Sequence, residues 1–581
     1  MMVYLLATIM MASNNYNTGF TRHGYLQVRA QFLAQAASQQ ALARLNTVAG
    51  WEKAHEGQAN ADKSTVEESN LEAWTEPIDK DRVRLIGLGT ISGRSQRISQ
   101  VLLKKPAVTA IDYVLEDTPG ASPDLVFAKA DNEPDWKTLP VAEARHWDDQ
   151  GLNQVEDRDK DGNLKSATNL KCLCGDGQGN VYAIWTRSGH DEILRYNSRV
   201  PDGKWQLLPP LLNQDRNGKS LGARQLVPDL EGIAVNADRD LVVLDKRSGQ
   251  DGIFHLDLKT LDADVANGQE GKTPWVQVPP PPKGTFKAPP KGSPSNQKVF
   301  VPAAKAATQG EVNQVCVDNN GDLFMLSRTG SPPPIYRFQP GEIPRPDGSV
   351  GSDWSNGNWN VLPPPPRTYF TVATKAQLNG GKLKANETLQ EELVEHELDD
   401  QLAFNLDYLA VDPSTSQLFS RYHRPTAVRK ISASRRLVVP QIDTIFRLSL
   451  APPPEKGSLP LQLDGKWTAD PLPPPNIHYD RNGLEEEGGG RADLAYNTVD
   501  HASNLMGLWP TSGNPHTIFR CDLTSKTWKT MPPVPKQVFD KKTGQPILNL
   551  SDGFSAQITG LGGGGVPNPS GLSRYIPTVT Y

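Results

Sequence analysis

The sequence has little cysteine, and none of it is arranged as a metal-binding motif. Only four of the 581 residues are cysteines: Cys172, Cys174, Cys316 and Cys521. They are too few and too scattered for a disulfide framework, and no CxxC pair indicates a zinc site. Cys172 and Cys174 stand two apart in a predicted strand, where we interpret them as small buried hydrophobes on one face. Cysteine usage therefore leaves the redox compartment open.

The sequence also lacks a strong charge of one sign and a long apolar run. The formal net charge of -5 is spread along the chain, so nucleic acid is not an expected partner. The apolar start, MMVYLLATIMMA over residues 1–12, is shorter than the about 20 residues that span a bilayer as a helix. The basic start and small-residue cleavage site of a secretory signal peptide are missing.

Motifs for catalysis are missing as well. There is no GxxxxGK phosphate loop, and GLGTISG from Gly87 has the wrong spacing for a dinucleotide fingerprint. In EHELDD, the fourth residue after His396 is Asp400, so the HExxH zinc motif is not formed. No catalytic residue can be nominated, and we expect a protein that is not an enzyme.

What the sequence does contain is a repeat rich in turns. Pro and Gly number 49 each, roughly a sixth of the chain. Five segments share an apolar strand, a turn rich in Asp, Asn and Gly, and a second apolar strand, which together indicate a β-hairpin. They are LKCLCGDGQGNVYAIW from Leu170, EGIAVNADRDLVVL from Glu231, VNQVCVDNNGDLFML from Val312, LDYLAVDPSTSQLF from Leu406 and LAYNTVDHASNLMGL from Leu494.

Two further strands follow each hairpin. The third strands read ILRY, IFHL, IYRF, IFRL and IFRC, starting at Ile193, Ile253, Ile335, Ile445 and Ile518. The fourth element is a Trp strand that runs into prolines, and a sixth copy at Trp136 has no clear hairpin before it. We expect these tryptophans to cover the gaps between repeats: Trp136, Trp205, Trp275, Trp359, Trp467 and Trp528. Proline suits an edge strand, which can lose a backbone donor.

Four strands repeated about six times predict a mainly β fold, a six-bladed or possibly seven-bladed β-propeller over residues 107–581. Residues 107–140 supply part of a first blade, and FSAQITGLGGGG from Phe554 resembles its missing inner strand. Joining the two would close the ring. Exposed insertions are expected at 261–308, 367–400 and 414–436, where binding functions tend to lie.

The N-terminal part predicts a helical stem over residues 1–50 and a linker with a small sheet over 51–106. Apolar residues recur at helical spacing in YLQVRAQFLAQAASQQALARL, residues 25–45. This helix after an apolar start and a Gly-containing break resembles the stem of type IV pilins and pseudopilins, in particular larger minor pilins. VRLIGLGTISGRSQRISQVLL, residues 83–103, resembles their first two sheet strands. The departure is Leu5, where pilins usually carry a glutamate.

The resemblance implies self-association through helices packed in a filament core, with membrane contact before assembly. The residues expected at that assembly face are Val3, Leu5, Leu6, Ile9, Leu26, Ala30, Leu33, Ala37, Ala41 and Leu45. The function hypothesis is a structural subunit of a bacterial extracellular or cell-surface filament. It would display the propeller for adhesion to surfaces or glycans, or for subunit contacts. The alternative is a secreted or membrane-tethered propeller that binds a ligand or hydrolyses a small substrate.

One short motif could bind a cation. In DRDKDGN, the carboxylates of Asp157, Asp159 and Asp161 alternate before Gly162, as in the first half of a calcium loop. Position twelve of an EF-hand would be Thr168 rather than Glu, which excludes a complete EF-hand. A short Ca²⁺ loop and an ordinary solvated turn both remain open, and no other cofactor is expected.

Overall fold

The chain forms two compact units in the computed structural model, Met1–Ala107 with Pro567–Tyr581 (unit 1) and Val108–Val566 (unit 2). The last residues thus group with unit 1, although sequence analysis placed them in the propeller. The residues described are 22–47, 51–66, 69–78, 82–106, 108–117, 123–131, 133–148, 151–187, 190–197, 203–211, 229–246, 251–267, 275–287, 299–303, 311–328, 332–344, 350–366, 368–374, 391–397, 406–422, 427–432, 435–439, 444–450, 462–511, 514–539, 546–548, 554, 558–567 and 573–577.

Unit 1 is a helix packed on an antiparallel sheet. The predicted helix is confirmed and is slightly longer than expected, as α1 (Arg22–Thr47); a short helix α2 (Trp51–Ala54) and a 3-10 turn (Gln58–Asn60) follow. The sheet has the order β1-β2-β3-β4-β41. Its strands are β1 (Asp62–Val66), β2 (Ser69–Pro77), β3 (Arg82–Ile91), β4 (Arg94–Pro106) and β41 (Ser573–Pro577).

Two glycines let α1 approach β3 closely. A Cβ atom on Gly87 would lie 2.3 Å from the carbonyl oxygen of Ala34, and one on Gly89 would lie 2.3 Å from that of Ala30. No side chain fits in either place, so the helix backbone rests directly on the strand. The hairpin that joins β3 to β4 turns at Ser92 and Gly93, with φ angles of 48° and 75°. Positive φ at both central residues suits a tight two-residue hairpin.

The residues predicted to form an assembly face divide into three groups. Val3, Leu5, Leu6 and Ile9 lie outside the described residues. Four others are buried within the chain itself: Ala30, Ala37, Ala41 and Leu45. The last three of these pack with strand residues of the same unit, and Leu33 packs against that cluster while half-buried. Leu26 is also half-buried. Much of the proposed assembly face is therefore covered by the unit's own sheet.

Unit 2 contains six four-stranded sheets among its described residues, so the prediction of a mainly β, propeller-like repeat is confirmed. Sheet 1 combines β40 (Ile558–Pro567), β5 (Val108–Glu116), β6 (Leu125–Ala130) and β7 (Lys137–Thr138). Sheet 2 has β10 (Leu170–Gly175), β11 (Asn180–Trp185), β12 (Glu192–Asn197) and β13 (Gln206–Leu207). Sheet 3 has β14 (Leu230–Val235), β15 (Asp240–Asp245), β16 (Gly252–Asp257) and β17 (Val276–Gln277).

The remaining three sheets repeat this order. Sheet 4 has β20 (Val312–Val317), β21 (Leu323–Ser327), β22 (Ile335–Pro344) and β23 (Val350–Val361). Sheet 5 has β26 (Leu406–Val411), β27 (Leu418–Tyr422), β30 (Thr444–Leu450) and β31 (Gly465–Ala469). Sheet 6 has β34 (Tyr496–Val499), β35 (Asn504–Trp509), β36 (Thr517–Asp522) and β37 (Thr527–Thr530).

Ordered elements also occur in the connections. A helix, α3 (Leu258–Ala266), lies at the start of the first predicted insertion. The other connections carry two-stranded ribbons: β8 (Arg145–Trp147) with β9 (Gln154–Glu156), β18 (Gly284–Lys287) with β19 (Val299–Pro302), β24 (Thr368–Thr374) with β25 (Glu391–Glu397), β28 (Ala427–Ser432) with β29 (Arg435–Val439), β32 (Pro475–Tyr479) with β33 (Glu485–Arg491), and β38 (Gln537–Phe539) with β39 (Pro546–Leu548). Among the described helices, none is both long and apolar enough to cross a membrane.

The core of unit 2 lies between the sheets. Six clusters of buried apolar side chains are each formed mainly by two neighbouring sheets. In sheet 1, Tyr113 and Val114 are consecutive and point to opposite faces. Tyr113 joins the cluster shared with sheet 2, while Val114 joins the cluster shared with sheet 6. Both faces of such a sheet are therefore buried, which explains why the strands of the repeat are almost continuously apolar.

Candidate functional site

The six repeat tryptophans link neighbouring sheets through one recurring hydrogen bond. In each case the indole Nε1 donates to a backbone carbonyl oxygen that follows the fourth strand of the preceding sheet. The pairs, with N···O distances, are Trp136 to Pro532 (2.8 Å), Trp205 to Pro140 (2.6 Å), Trp275 to Pro209 (3.1 Å), Trp359 to Pro279 (2.7 Å), Trp467 to Pro363 (2.8 Å) and Trp528 to Leu472 (2.5 Å). Five of these bonds join sheets that are consecutive in sequence, and the sixth joins sheet 1 to sheet 6.

The prolines after each Trp strand have a structural role in this series. In five repeats the acceptor is the proline four residues after that repeat's own tryptophan, such as Pro209 after Trp205. Proline has no N–H, so the strand stops pairing at this point while the carbonyl oxygen stays available. The preceding Leu208 still donates to the Ile193 carbonyl oxygen at 2.9 Å. Each repeat therefore provides a donor to one neighbour and an acceptor to the other.

A cavity of about 880 Å³ lies at the centre of unit 2 and is the main candidate site. Its wall is made by the first strands of the six sheets. Three of these strands carry a β-bulge at the same place, directly before Gly232, Gln314 and Tyr408, and β10 carries one a residue later, before Leu173. Bulges re-aim side chains and are frequent next to functional sites. The volume is within the range typical of small-molecule pockets.

Ion pairs surround the start of these strands. Lys171 Nζ lies 3.1 Å from a carboxylate oxygen of Asp191 and 3.6 Å from one of Asp229. Lys246 pairs with Glu231 in the same region. Both lysines and Glu231 line the cavity. This end therefore presents charges of both signs that are already paired with each other.

At the opposite end of the strands, His501 crosses between sheets. Its Nε2 donates to the carbonyl oxygen of Gly175 in β10 at 2.9 Å, and its backbone N–H lies 3.4 Å from the carbonyl oxygen of Gly564 in β40. The ring is buried, and its Nδ1 has no hydrogen-bond partner in the described part of the chain. Burial lowers the pKa of His501, against the opposing effect of Asp176. A neutral imidazole thus links sheet 6 to sheet 2, while the backbone of the same residue contacts sheet 1.

Three of the four cysteines line the central cavity: Cys172, Cys174 and Cys316. Burial raises the pKa of Cys172 to about 11, although Lys171 and Lys246 act in the opposite direction. Burial also raises the pKa of Cys174 and Cys316 well above the usual thiol range. A thiol must ionise to act as a nucleophile or metal ligand. At neutral pH these groups are protonated, which fits small hydrophobes rather than reactive thiols.

The DRDKDGN motif forms a hydrogen-bonded turn. Asp159 Oδ1 accepts backbone N–H groups from Asp161 (2.9 Å) and Asn163 (2.8 Å), and Gly162 has a φ of 84°. Asp157 faces elsewhere, with Arg187 and His146 each 3.7 Å from its carboxylate. Among the described residues, no three His, Cys, Asp or Glu side chains are grouped to hold a metal. The turn's own N–H groups therefore bind Asp159 Oδ1, and the short Ca²⁺ loop stays a prediction.

The third strands share a basic residue that was not recognised from the sequence, at the third position of ILRY, IFHL, IYRF, IFRL and IFRC. Each pairs with a carboxylate. The pairs are Arg195 with Asp262, His255 with Asp240, Arg337 with Asp322, Arg447 with Asp470, and Arg520 with Asp131 and Asp500. The repeated position was a visible signal. The partner was not, because Arg195 and Asp262 are 67 residues apart.

No family model matches the chain, and no curated protein matches it. Among solved structures, TolB from Acinetobacter baumannii is similar over 84% of this chain and 82% of its own, with 8% identity and a TM-score of 0.33. The tricorn protease is similar over 86% of this chain and 43% of its own, with 9% identity and a TM-score of 0.25. A protein from Lactobacillus plantarum is similar over 78% and 98%, with 7% identity and a TM-score of 0.29.

Likenesses this distant carry no argument about the activity of the chain. The description of unit 2 as propeller-like rests instead on its own strand order, on the clusters between sheets and on the tryptophan series. The candidate site is a central cavity with paired charges at one end, neutral thiols in its wall and a buried histidine at the other end.

Proposed function

We propose that this chain is a structural, non-enzymatic subunit of an extracellular, type IV pilus-like filament of a bacterium. Unit 1 would be the assembling stem, and unit 2 would be a closed six-bladed propeller displayed for contacts with surfaces or other subunits. The observation that carries the proposal is an apolar pair on α1. Val28 is 45% exposed and Phe32 is 42% exposed, although α1 already packs one face on its own sheet.

The geometry of a helix explains why these two residues cannot be covered by that sheet. Val28 and Phe32 are one turn apart and lie on the side opposite Ala30 and Ala34, which are fully buried. An exposed Val and Phe on one helical stripe favour a partner helix, since burying each side chain contributes about 1.5–3 kcal/mol. The proposed occupant is α1 of a second copy. The apolar residues 1–12 before it would extend the same contact.

The helix on an antiparallel sheet also agrees with what the pilin resemblance implies for the first 105 residues or so. α1 lies across β3 and β4 in unit 1, and the strands predicted over residues 83–103 are present as a hairpin. For unit 2, the proposal of a closed ring is supported by the six tryptophan bonds and by the pairing of β40 with β5. Membrane contact before assembly would come from residues 1–12.

A charge on the exposed stripe tests the proposal. We expect the purified full-length chain to sediment as polymers, and Phe32→Asp to shift it to monomers because a buried carboxylate in the helix contact would be unpaired. The matched control is Gln27→Asp, which adds the same charge at an exposed position that is neither three nor four residues from Val28 or Phe32 and so lies off the stripe. Assembly should survive in this control. A wild-type chain that stays monomeric, or a Phe32→Asp variant that polymerises equally well, would contradict the proposal.

The second candidate is a secreted or membrane-tethered propeller that binds a small ligand in its central cavity. The volume of about 880 Å³ favours it. This candidate predicts a soluble monomer in the same sedimentation experiment, so one measurement separates the two.

A further inference from the structure

A second cavity, of about 770 Å³, lies between sheets 2 and 3, away from the central one. Its lining contains no aromatic or large apolar side chain. The residues that line it are Gln178, Asn180, Arg195, Asn197, Gln206, Ala237, Asp238, Arg239, Lys259 and Asp262. A space bordered by amides, cations and carboxylates suits a polar ligand rather than an apolar one.

Arg239 stands in an unusual backbone conformation at this cavity. Its φ angle is 71°, in the left-handed region that disfavours side chains. The corresponding hairpin turns of sheets 2 and 4 use Gly179 (φ 87°) and Gly321 (φ 81°), and that of sheet 6 uses the small Ser503. Only sheet 3, among these, places a long cation at the position. Strained backbone of this kind is a reason to look for a function of the side chain.

The surrounding residues hold Arg239 in a built arrangement. Its Nη2 donates to Asp262 Oδ2 at 2.6 Å, and Arg195 Nη1 donates to Asp262 Oδ1 at 2.7 Å. Asp262 comes from α3, which is inserted after the third strand of sheet 3. The side chain of Asp257 caps the helix by accepting backbone N–H groups from its first turn. Gln206 Oε1 fixes Arg195 from the other side, at 2.7 Å from Nη2.

Among the residues that line the cavity, three are cations, Arg195, Arg239 and Lys259, and two are carboxylates, Asp238 and Asp262. Behind the lining, Arg239 Nε also lies 4.0 Å from the buried carboxylate of Asp176. Arg239 Nε is buried and has no hydrogen-bond partner within the described part of the chain. A guanidinium presents its donors in a planar fork that matches carboxylate and phosphate oxygens. The amides of Gln178 and Asn197 can both donate to and accept from hydroxyl groups.

We propose that this cavity binds a small hydroxylated anion, such as an acidic sugar, with its anionic group at Arg239 and its hydroxyl groups at the amides. A carboxylate and a phosphate would both accept hydrogen bonds from the guanidinium with the same geometry. The proposal therefore specifies an anionic group and leaves the choice between the two to the experiment. The site goes beyond the proposed assembly role and does not depend on it. Binding is measured on the chain whether or not it polymerises, so failure of one proposal does not imply failure of the other.

Calorimetric titration of the full-length chain tests the site with three probes: D-glucuronate, glucose 6-phosphate and the neutral methyl β-D-glucopyranoside. We expect at least one anion to bind at least tenfold more tightly than the neutral sugar. The anion that binds more tightly shows whether the site prefers a carboxylate or a phosphate. Arg239→Gly should weaken that binding at least tenfold. The variant should stay folded, because glycine adopts positive φ without strain and this offsets part of the loss of the ion pairs with Asp262 and Asp176.

Lys526→Gly is the matched control, since Lys526 is also a cation at positive φ (57°) but lies in the β36–β37 turn. Its binding should equal that of the wild-type chain. Three results would overturn the site: no binding of either anion, equal binding of the neutral sugar, or an Arg239→Gly variant that keeps full affinity.

Discussion

The indole Nε1 of Trp136 donates a 2.8 Å hydrogen bond to the carbonyl oxygen of Pro532, 396 residues further along the chain. Trp136 stands just before β7 in sheet 1, and Pro532 follows β37 in sheet 6. The corresponding hydrogen bond joins each of the remaining five pairs of consecutive sheets. The first and last sheets are thus connected in the same manner as sheets that are neighbours in sequence.

Replacing Trp136 should destabilise unit 2. Phenylalanine removes the hydrogen bond and should lower the free energy of unfolding by about 1 kcal/mol. Alanine also empties a site that is 5% exposed, and should lower it by about 3–5 kcal/mol. Urea unfolding of both variants measures this. Leu152→Ala, at a side chain that is 70% exposed, is the control and should change little. An alanine variant as stable as the wild type would contradict the role given to Trp136.

Adding a methyl group between α1 and β3 should disrupt unit 1. In Gly89→Ala the new Cβ would lie 2.3 Å from the Ala30 carbonyl oxygen and 2.5 Å from the Ala34 backbone nitrogen. Backbone atoms cannot move aside as a flexible side chain could, so we expect a loss of about 1–3 kcal/mol. Limited proteolysis should then cleave α1 or β3 sooner than in Ser99→Ala, an exposed position on β4. Equal cleavage rates would show that the helix does not lie this close to the strand.

The stability of unit 2 should fall as pH rises from about 4 to about 8, in part because of Asp112. Burial raises the pKa of Asp112 to about 8, although Arg520 acts in the opposite direction. Its pKa in the unfolded chain is the ordinary value of 3.8. Between these values the folded state holds a proton that the unfolded state has lost. Raising the pH therefore favours unfolding until the folded pKa is passed.

The isosteric variant Asp112→Asn checks the sign of this effect. It cannot ionise, so it should flatten the decrease and be more stable than the wild type at pH 9 by on the order of 1–3 kcal/mol. Urea unfolding at pH 5 and pH 9 gives the comparison. Asp135→Asn, at an exposed position, should keep the wild-type slope. A variant with the wild-type slope would mean that Asp112 is not the buried acid described.

The cavity thiols should be slow to alkylate. With a pKa of about 11, Cys172 holds about a hundredfold less thiolate at neutral pH than an ordinary thiol with a pKa of 9.0. Its iodoacetamide reaction at pH 7.5, followed by mass spectrometry of the peptide, should be at least a hundredfold slower in the folded chain than in urea. A folded rate within a few-fold of the unfolded rate would show a reactive thiol and would reopen catalysis in the cavity.

Much of the fold could be predicted because its signals are local. Helical spacing from Leu26 to Leu45 indicated α1, and the Trp and Pro repeat indicated the fourth strands. Ser92 and Gly93 marked the hairpin between β3 and β4. The helix α3 was not predicted, because most of it falls in the segment from residue 261 that was expected to be an exposed insertion.

The second cavity could not be predicted, because it depends on contacts between distant residues. Arg195 lies in sheet 2 and Asp262 lies in α3, and the sequence ILRY does not indicate which carboxylate its arginine will pair with. Arg239 looks like an ordinary turn residue in NADRD. Its positive φ becomes evident only when the turn is compared in three dimensions with those at Gly179 and Gly321.

The filament proposal is tested by electron microscopy of negatively stained full-length protein sheared from producing cells. We expect filaments decorated with ring-shaped densities of six lobes, and N-terminal sequencing should show that the recovered chain includes α1. Isolated six-lobed rings without filaments, from a chain that has lost α1, would contradict the assembly role.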